Sequence, residues 1–254
     1  MFLQERHHRI LELLNENKRV IVSDLSDILN VSVDTIRRDL SHMESQKLLV
    51  RTFGGAILPD NMNACPSLQI RKELYSGEKS LLGKKAADLI QSGDTIFLEG
   101  SSTTLFIIPY LKDKEDVTVI TNAIEVAAEI INTAPHLTLY VIGGVVKSHI
   151  GGAVGSDALL KLREFRVDKV FLSTIGFTEE GIFDTDFDEV LFKRQLIACG
   201  SKVYFLFDAS KANRMGTIII SSYDGSFKII SEQKLPDKLK EKIEASAPGT
   251  LILS

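Results

Sequence analysis

Apolar positions repeat along the first 57 residues at helical spacing, in three separate runs. Ile10, Leu13 and Leu14, with Leu3 before them, predict an amphipathic helix ending near Asn15–Asn17, with Glu5 and Arg9 as an i,i+4 ion pair. The β-branched run Val20-Ile21-Val22 fits only a short strand. Ser23 is then placed to cap a second helix carrying Asp24 and Asp27 early and burying Leu25, Ile28 and Leu29. After a tight turn at Asn30-Val31, Ser32 caps a third helix running to about Gln46, whose apolar face is Val33, Ile36, Leu40 and Met43. Two short β runs with glycines follow, Leu48 to Ile57, and read as a hairpin.

The third helix leaves Thr35, Arg37, Arg38, Ser41 and His42 off its apolar face. Two short helices joined by a turn, the second presenting hydroxyl and guanidinium groups, make a helix-turn-helix, and the hairpin makes it winged. Ser32, Thr35, Arg37, Arg38 and His42 are the candidate contacts to double-stranded operator DNA. Arg51 joins them from the wing.

Pro59, Asp60, Asn61, Asn63 and Pro66 break the pattern, so a linker is placed at 58–75 between a DNA-binding domain over 1–57 and a second domain over 76–254. There the pattern alternates. Helices are expected at 81–91, 103–112, 123–132, 157–164 and 187–199. Between them lie continuous apolar strands at 95–98, 117–121, 137–142, 169–175 and 202–208, with shorter strands at 217–220, 227–230 and 250–253. Such strands argue for an α/β domain whose mostly parallel sheet is covered on both faces.

Ligands of such sheets bind where strands end and helices begin. The loops there supply Ser101, Ser102, Thr103 and Thr104, then Asn122, which taken alone reads more readily as a helix cap. Further on come Gly143, Gly144 and Lys147, then Asp208, Ser210 and Lys211. Hydroxyls, backbone N–H groups at a helix start, and lysines suit a phosphate. The glycines at 151, 152 and 155 lack the GxGxxG spacing of a dinucleotide site.

Charge changes how DNA would be read. The chain of 254 residues carries a formal net charge of −4. Within 1–57, Arg6, Arg9, Lys18, Arg19, Arg37, Arg38, Lys47 and Arg51 are matched one for one by Glu5, Glu12, Glu16, Asp24, Asp27, Asp34, Asp39 and Glu44. Recognition must therefore come from a few placed arginines and from oligomer geometry rather than bulk attraction. A protein-binding three-helix module is the bland alternative, with Asp39 pairing a nearby arginine as a structural group. Cys65 and Cys199 stand far apart, which excludes a disulfide framework or zinc finger, and neither a signal peptide nor an 18-residue apolar span is visible. These features lead to the expectation of a cytoplasmic protein without cofactor, metal or membrane.

The run Val31-Ser32-Val33-Asp34-Thr35-Ile36-Arg37-Arg38-Asp39-Leu40, with Leu48-Leu49-Val50-Arg51-Thr52-Phe53-Gly54-Gly55-Ala56, closely resembles the signature of the DeoR family of bacterial repressors. Phe53 departs from it, since the family usually has histidine there. The resemblance extends through Glu99–Thr104, Thr121-Asn122, Gly143-Gly144, Asp168, Gly176, Glu189, Lys193 and Asp208-Ala209-Ser210-Lys211, with Glu99 and Ser101 replacing the usual aspartate and glycine, and Ser231-Glu232 a late Thr-Asp.

The resemblance implies a repressor that is a homodimer or homotetramer and senses a phosphorylated sugar, with Gly176, Glu189 and Lys193 added to the effector contacts. It also implies a sensor domain similar in fold to ribose-5-phosphate isomerase, so the rival reading is a sugar-phosphate isomerase. Against that rival, Phe171–Gly176 lacks the carboxylates such an enzyme carries there, and Phe183-Asp184-Thr185-Asp186 replaces its glycine-run with lysine. The expectation is a sensor whose pocket has lost its proton-transferring acids. Glu189 and Lys193 also fit a plain surface i,i+4 pair.

Overall fold

A computed structural model describes residues 2–46, 48–58, 68–148, 150–232 and 235–253, without the side chains of Gln4 and Asn15. The chain divides into two compact units, Met1–Ser76 and Gly77–Ser254.

The first unit contains α1 (Leu3–Asn17), β1 (Arg19–Ile21), α2 (Val22–Leu29), α3 (Val33–Ser45), β2 (Val50–Thr52), β3 (Gly55–Ile57) and α4 (Leu68–Glu73). Ile10, Leu11 and Leu14 of α1 meet Leu25 and Leu29 of α2 and Ile36, Leu40 and Met43 of α3 in one core. The strands form a small antiparallel sheet in the order β1-β3-β2, which is the wing. Most of the expected linker, 59–67, lies outside the described residues. Its described end is a helix, α4, whose Ile70, with Leu74 just after it, joins this core.

Several local expectations are corrected. Ser23 does not cap α2, because that helix starts one residue earlier and its N-cap is Ile21. Ile28 is exposed, and Val22 takes its place in the buried stripe. Val33 is also exposed, so the inward face of α3 is Ile36, Leu40 and Met43. Glu5 accepts from the backbone N–H of Phe2 at 3.0 Å instead of pairing with Arg9, which pairs with Glu12 at 2.8 Å.

The second unit begins with α5 (Ser76–Asp88), β4 (Thr95–Leu98), a 3-10 turn (Thr104–Tyr110), β5 (Thr118–Thr121), α6 (Ile124–Thr133) and β6 (Thr138–Val141). A hairpin of β7 (Val145–Lys147) and β8 (Gly152–Val154) leads to α7 (Ser156–Leu162) and β9 (Val167–Leu172). A second hairpin, β10 (Gly176–Thr178) and β11 (Gly181–Asp184), precedes α8 (Phe187–Cys199) and β12 (Gly200–Phe207). The chain continues through β13 (Ile218–Ser221), β14 (Lys228–Ser231), α9 (Asp237–Ser246) and β15 (Leu251–Leu253).

Among the described residues seven strands form one parallel sheet, in the order β15-β14-β12-β9-β4-β5-β6. Phe97, Val170 and Phe205 of its central strands are fully buried, as strands covered on both faces require. The expected helix over 103–112 is a 3-10 turn containing Pro109, which cannot donate to an α-helical ladder. β13 leaves the main sheet and pairs with β11.

Successive strands add outward from β4 to β6, then return to the other side of β4 and add outward through β15. The order thus reverses between β4 and β9, the kind of switch point at whose strand ends ligands of such sheets bind.

Candidate functional site

Two surfaces carry the predicted residues, one on each unit. On the first, burial of Ile36, Leu40 and Met43 turns Arg37, Arg38, Ser41 and His42 outward. Ser32 caps α3 as expected, its hydroxyl accepting from the Thr35 N–H at 3.2 Å and lying 2.9 Å from the Thr35 hydroxyl. Arg37 reaches Asp34 at 3.3 Å, both groups being exposed, while Arg38 has no ion pair among the described residues.

Arg51 braces the wing against α3. Its backbone N–H donates to Glu44 at 2.8 Å and its guanidinium to the Ser41 hydroxyl at 2.5 Å. Asp39 faces inward instead, gripped by Arg6 of α1 through two bonds of 2.5 and 3.0 Å. The His7 ring lies 3.3 Å from Asp39 and 5.5 Å from the His42 ring. Asp39 therefore fixes α3 to α1, and the cationic side chains near it face solvent.

On the second unit, the ends of β4, β9 and β12 come together at this switch point. The Lys211 ammonium lies 2.5 Å from the Ser173 hydroxyl and 3.5 Å from that of Thr103. Asp208 sets the turn that carries Lys211 by accepting from the Ser210 N–H at 3.2 Å. Thr104 and Ser101 turn inward and bond to each other, and Thr104 also donates to the Glu99 carbonyl at 2.5 Å. Among the described residues the N–H groups of Ser102 and Thr103 donate to nothing, so the start of this turn offers two open donors beside a lysine.

Next to this cationic end lies an acidic one. Lys193, 1% exposed, is held by Asp184 at 2.6 Å, Glu189 at 2.7 Å and Glu99 at 3.2 Å. The Glu99 carboxylate also accepts from the Ser173 N–H at 3.2 Å, and the Thr174 hydroxyl donates to Asp184 at 3.0 Å. Burial opposes the charge on Lys193, yet the pull of three carboxylates outweighs it and holds the ammonium well above its usual range. Burial likewise works against ionised Asp184, but the Lys193 charge wins and lowers it. For Glu189 burial wins, aided by Asp184 and Glu99, and pushes its carboxyl up to about 7.

This cluster revises one expectation. Glu189 and Lys193 are no surface pair, because Lys193 lies inside the unit. The strand end at 171–176 carries no carboxylate, and the acids beside it, Glu99 and Asp184, are ion-paired with Lys193. Asp184 escapes a reading of the sequence because its segment stands in the place of a glycine-run. Ser173 and Thr174 escape it because the apolar strand pattern runs on over them. The strand-end rule that finds Ser101–Thr104, applied after Leu172, where the strand ends three residues earlier than expected, finds both hydroxyls.

The remaining candidates are less directly engaged. Lys147 is bound by Asp186 at 2.7 Å and Asp188 at 2.7 Å, and these bonds raise its pKa and tie the β7–β8 hairpin to the start of α8. Gly176 sits where a Cβ would lie 2.3 Å from the Arg214 carbonyl oxygen, a packing reason for glycine. Gly143 is open to solvent. Gly144, with φ +150, would bring a Cβ to 2.8 Å from the Val154 carbonyl. Asp168 anchors the start of β4 by accepting from the Thr95 N–H at 2.8 Å.

Asn122 is not the cap of α6, which begins after Ala123. Its side-chain N–H donates to the Ala153 carbonyl at 2.9 Å, while its buried carbonyl oxygen has no donor among the described residues. No cluster with metal-ligand composition occurs among the described residues, and no helix there is long and apolar enough to cross a membrane.

Residues 6–62 match the DeoR-like helix-turn-helix domain, and residues 75–233 match the DeoR C terminal sensor domain. The chain is 34% identical over 211 residues to the HTH-type transcriptional repressor GlcR of Bacillus subtilis (strain 168), covering 83% of this chain and 81% of that one. It is 30% identical over 219 residues to the glycerol-3-phosphate regulon repressor of Escherichia coli (strain K12), covering 86% of each. Among solved structures, a D-ribose-5-phosphate isomerase in complex with phospho-erythronic acid aligns at a TM-score of 0.41 and 12% identity, over 54% of each chain.

Proposed function

Because the chain belongs to the DeoR family of DNA-binding transcription regulators, we propose that it is a cytoplasmic repressor of a carbohydrate-metabolism operon, released or recruited by a phosphorylated sugar or polyol. The DNA-reading domain spans 1–57 and the sensor 76–254. In a homodimer or homotetramer, two copies of α3 enter successive major grooves of an operator with repeated half-sites. Thr35, Arg37, Arg38 and His42 meet bases and phosphates, with Ser32 at the helix start and Arg51 at the wing.

One observation carries the choice of ligand: the Lys211 ammonium stands beside the Thr103 hydroxyl, where the Ser102 and Thr103 N–H groups are open. Those groups supply the charge and the fork of donors that a phosphate needs. The carboxylates of Glu99, Asp184 and Glu189 suit the other end of such a molecule, accepting from sugar hydroxyls. The name of the glycerol-3-phosphate regulon repressor points to the same ligand class.

The test is a gel shift with the full chain and duplexes recovered from a random pool. Glycerol 3-phosphate and a set of hexose phosphates are added in parallel with their unphosphorylated counterparts. Only a phosphorylated compound should change retention, and Lys211→Ala should bind DNA normally while losing that response. Equal action by the unphosphorylated compounds, or an unaltered response in Lys211→Ala, would reject the phosphate site. Because a ligand acts only through its differential affinity for the two states, its dissociation constant must change on DNA by the same factor.

A further inference from the structure

Reading DNA through arginine and hydroxyl groups leaves one side chain of the wing without a role. Phe53 stands at the turn between β2 and β3 and is fully exposed, at 111% of its reference area. No other exposed large apolar side chain among the described residues stands as free. An aromatic ring kept in water forgoes the burial of roughly 150–250 Å² that such a ring gains inside a protein or at an interface.

The turn that carries Phe53 is braced. Arg51 ties β2 to Ser41 and Glu44 of α3, and the Gly54 carbonyl accepts from the Val22 N–H at 2.8 Å. Gly54, at φ +87, gives the turn its shape. Ser41 lies one helical turn beyond Arg37, so the hairpin is fixed along the same exposed side of α3 that presents the arginines. With α3 in a major groove, a hairpin alongside its C-terminal half overlies the neighbouring minor groove.

We infer that Phe53 is a wedge that enters this minor groove, partly unstacks one base step and bends the duplex. Apolar side chains inserted in this way open a step and kink DNA by about 20–90°. Arg51, two residues before the ring, supplies a cation of the kind a narrow minor groove attracts and favours DNA over a protein partner; the other exposed apolar side chains of this sheet, Val50 and Ile21, are only 41% and 46% exposed. The wedge adds a second source of sequence preference, because pyrimidine–purine steps open more readily than others. A chain whose basic and acidic groups balance over residues 1–57 thereby gains selectivity without added charge.

This inference rests on α3 reading DNA, and the experiment separates the two claims. The chain contains no tryptophan, so Phe53→Trp places a single reporter at the wing tip. Full-length protein is titrated onto 30-base-pair duplexes recovered from a random pool by the wild type, with dyes at the duplex ends to report bending. Emission from the introduced indole should be strongly quenched on saturation, as for an indole stacked on bases, and energy transfer between the ends should rise. Phe53→Ala should bind roughly five- to hundredfold more weakly, the span of one lost base–aromatic stack, and leave the duplex straighter.

Retention without quenching, or an equal bend with Phe53→Ala, overturns the wedge alone. Emission that shifts with protein concentration in the absence of DNA also overturns it, assigning the ring to a second copy of the chain. Failure of the wild type to retain any duplex overturns the DNA reading and the wedge with it.

Discussion

Replacing Glu189 by glutamine should make the sensor unit more stable at pH 8 and leave it nearly unchanged at pH 4.5. Glu189 stands with Glu99 and Asp184 around Lys193, and burial lifts its carboxyl from an ordinary 4.5 to about 7. Between those values the folded chain holds a proton that the unfolded chain releases. The stability tied to that proton is complete below about 4.5 and is lost as pH rises through 7.

A shift of that size corresponds to about 3–4 kcal/mol at most, from roughly 1.4 kcal/mol per pKa unit. Glutamine removes the ionisation while keeping an oxygen to accept from Lys193, which retains Asp184 and Glu99 as counter-ions. The gain at pH 8 is bounded by that figure, which already contains the opposing attraction of Lys193. Urea unfolding of the full chain, followed by far-UV circular dichroism at both pH values, measures it. A loss at pH 8, or an equal change at both, would refute the claim that burial dominates this carboxyl.

Three further substitutions probe packing and the DNA-reading unit. Asp39→Ala breaks the buried pair with Arg6 and should cost about 3–5 kcal/mol, seen as an early unfolding transition and loss of DNA retention together. Arg38→Ala should also lose retention, yet stay within about 0.5 kcal/mol of the wild type in stability, since that side chain is exposed. Gly176→Ala would press a Cβ to 2.3 Å from the Arg214 carbonyl oxygen and should cost about 1–3 kcal/mol, read as a lower melting temperature; an unchanged melting temperature would show that this strand yields freely.

The two-unit plan was legible in the sequence because its signals are local. Ser32 to Met43 states its cap, its buried face and its polar face within four turns, and the strands around Phe97, Val170 and Phe205 are continuous apolar runs. The β7–β8 and β10–β11 hairpins escaped because strands of three or four residues give too short a pattern to register. Pro109 marked a break that the apolar run around it concealed.

The candidate site was legible residue by residue but not in its charge. The i,i+4 spacing of Glu189 and Lys193 was visible, whereas their burial depends on Glu99, which meets Lys193 only after the sheet is assembled. The same holds for Asp39, whose partner Arg6 lies 33 positions away on another helix. A structural pair of Asp39 with a nearby arginine is the expectation from sequence, and its actual partner comes from a different helix.

The parallel sheet also sets the order in which the two capacities appear as the chain is made. The buried pair that locks the DNA-reading unit, Arg6 with Asp39, closes within the first 76 residues. The proposed effector site needs Thr103 to meet Lys211, 108 positions later, and the turn bearing Lys211 is itself held by Glu232 through the Ala209 N–H at 2.8 Å. At a synthesis rate of about 5–20 residues per second, and with domains folding as units from the N-terminus, the reader precedes a complete sensor by roughly ten to forty seconds. A newborn chain thus passes through an interval in which the first unit can fold while the proposed effector site is still incomplete.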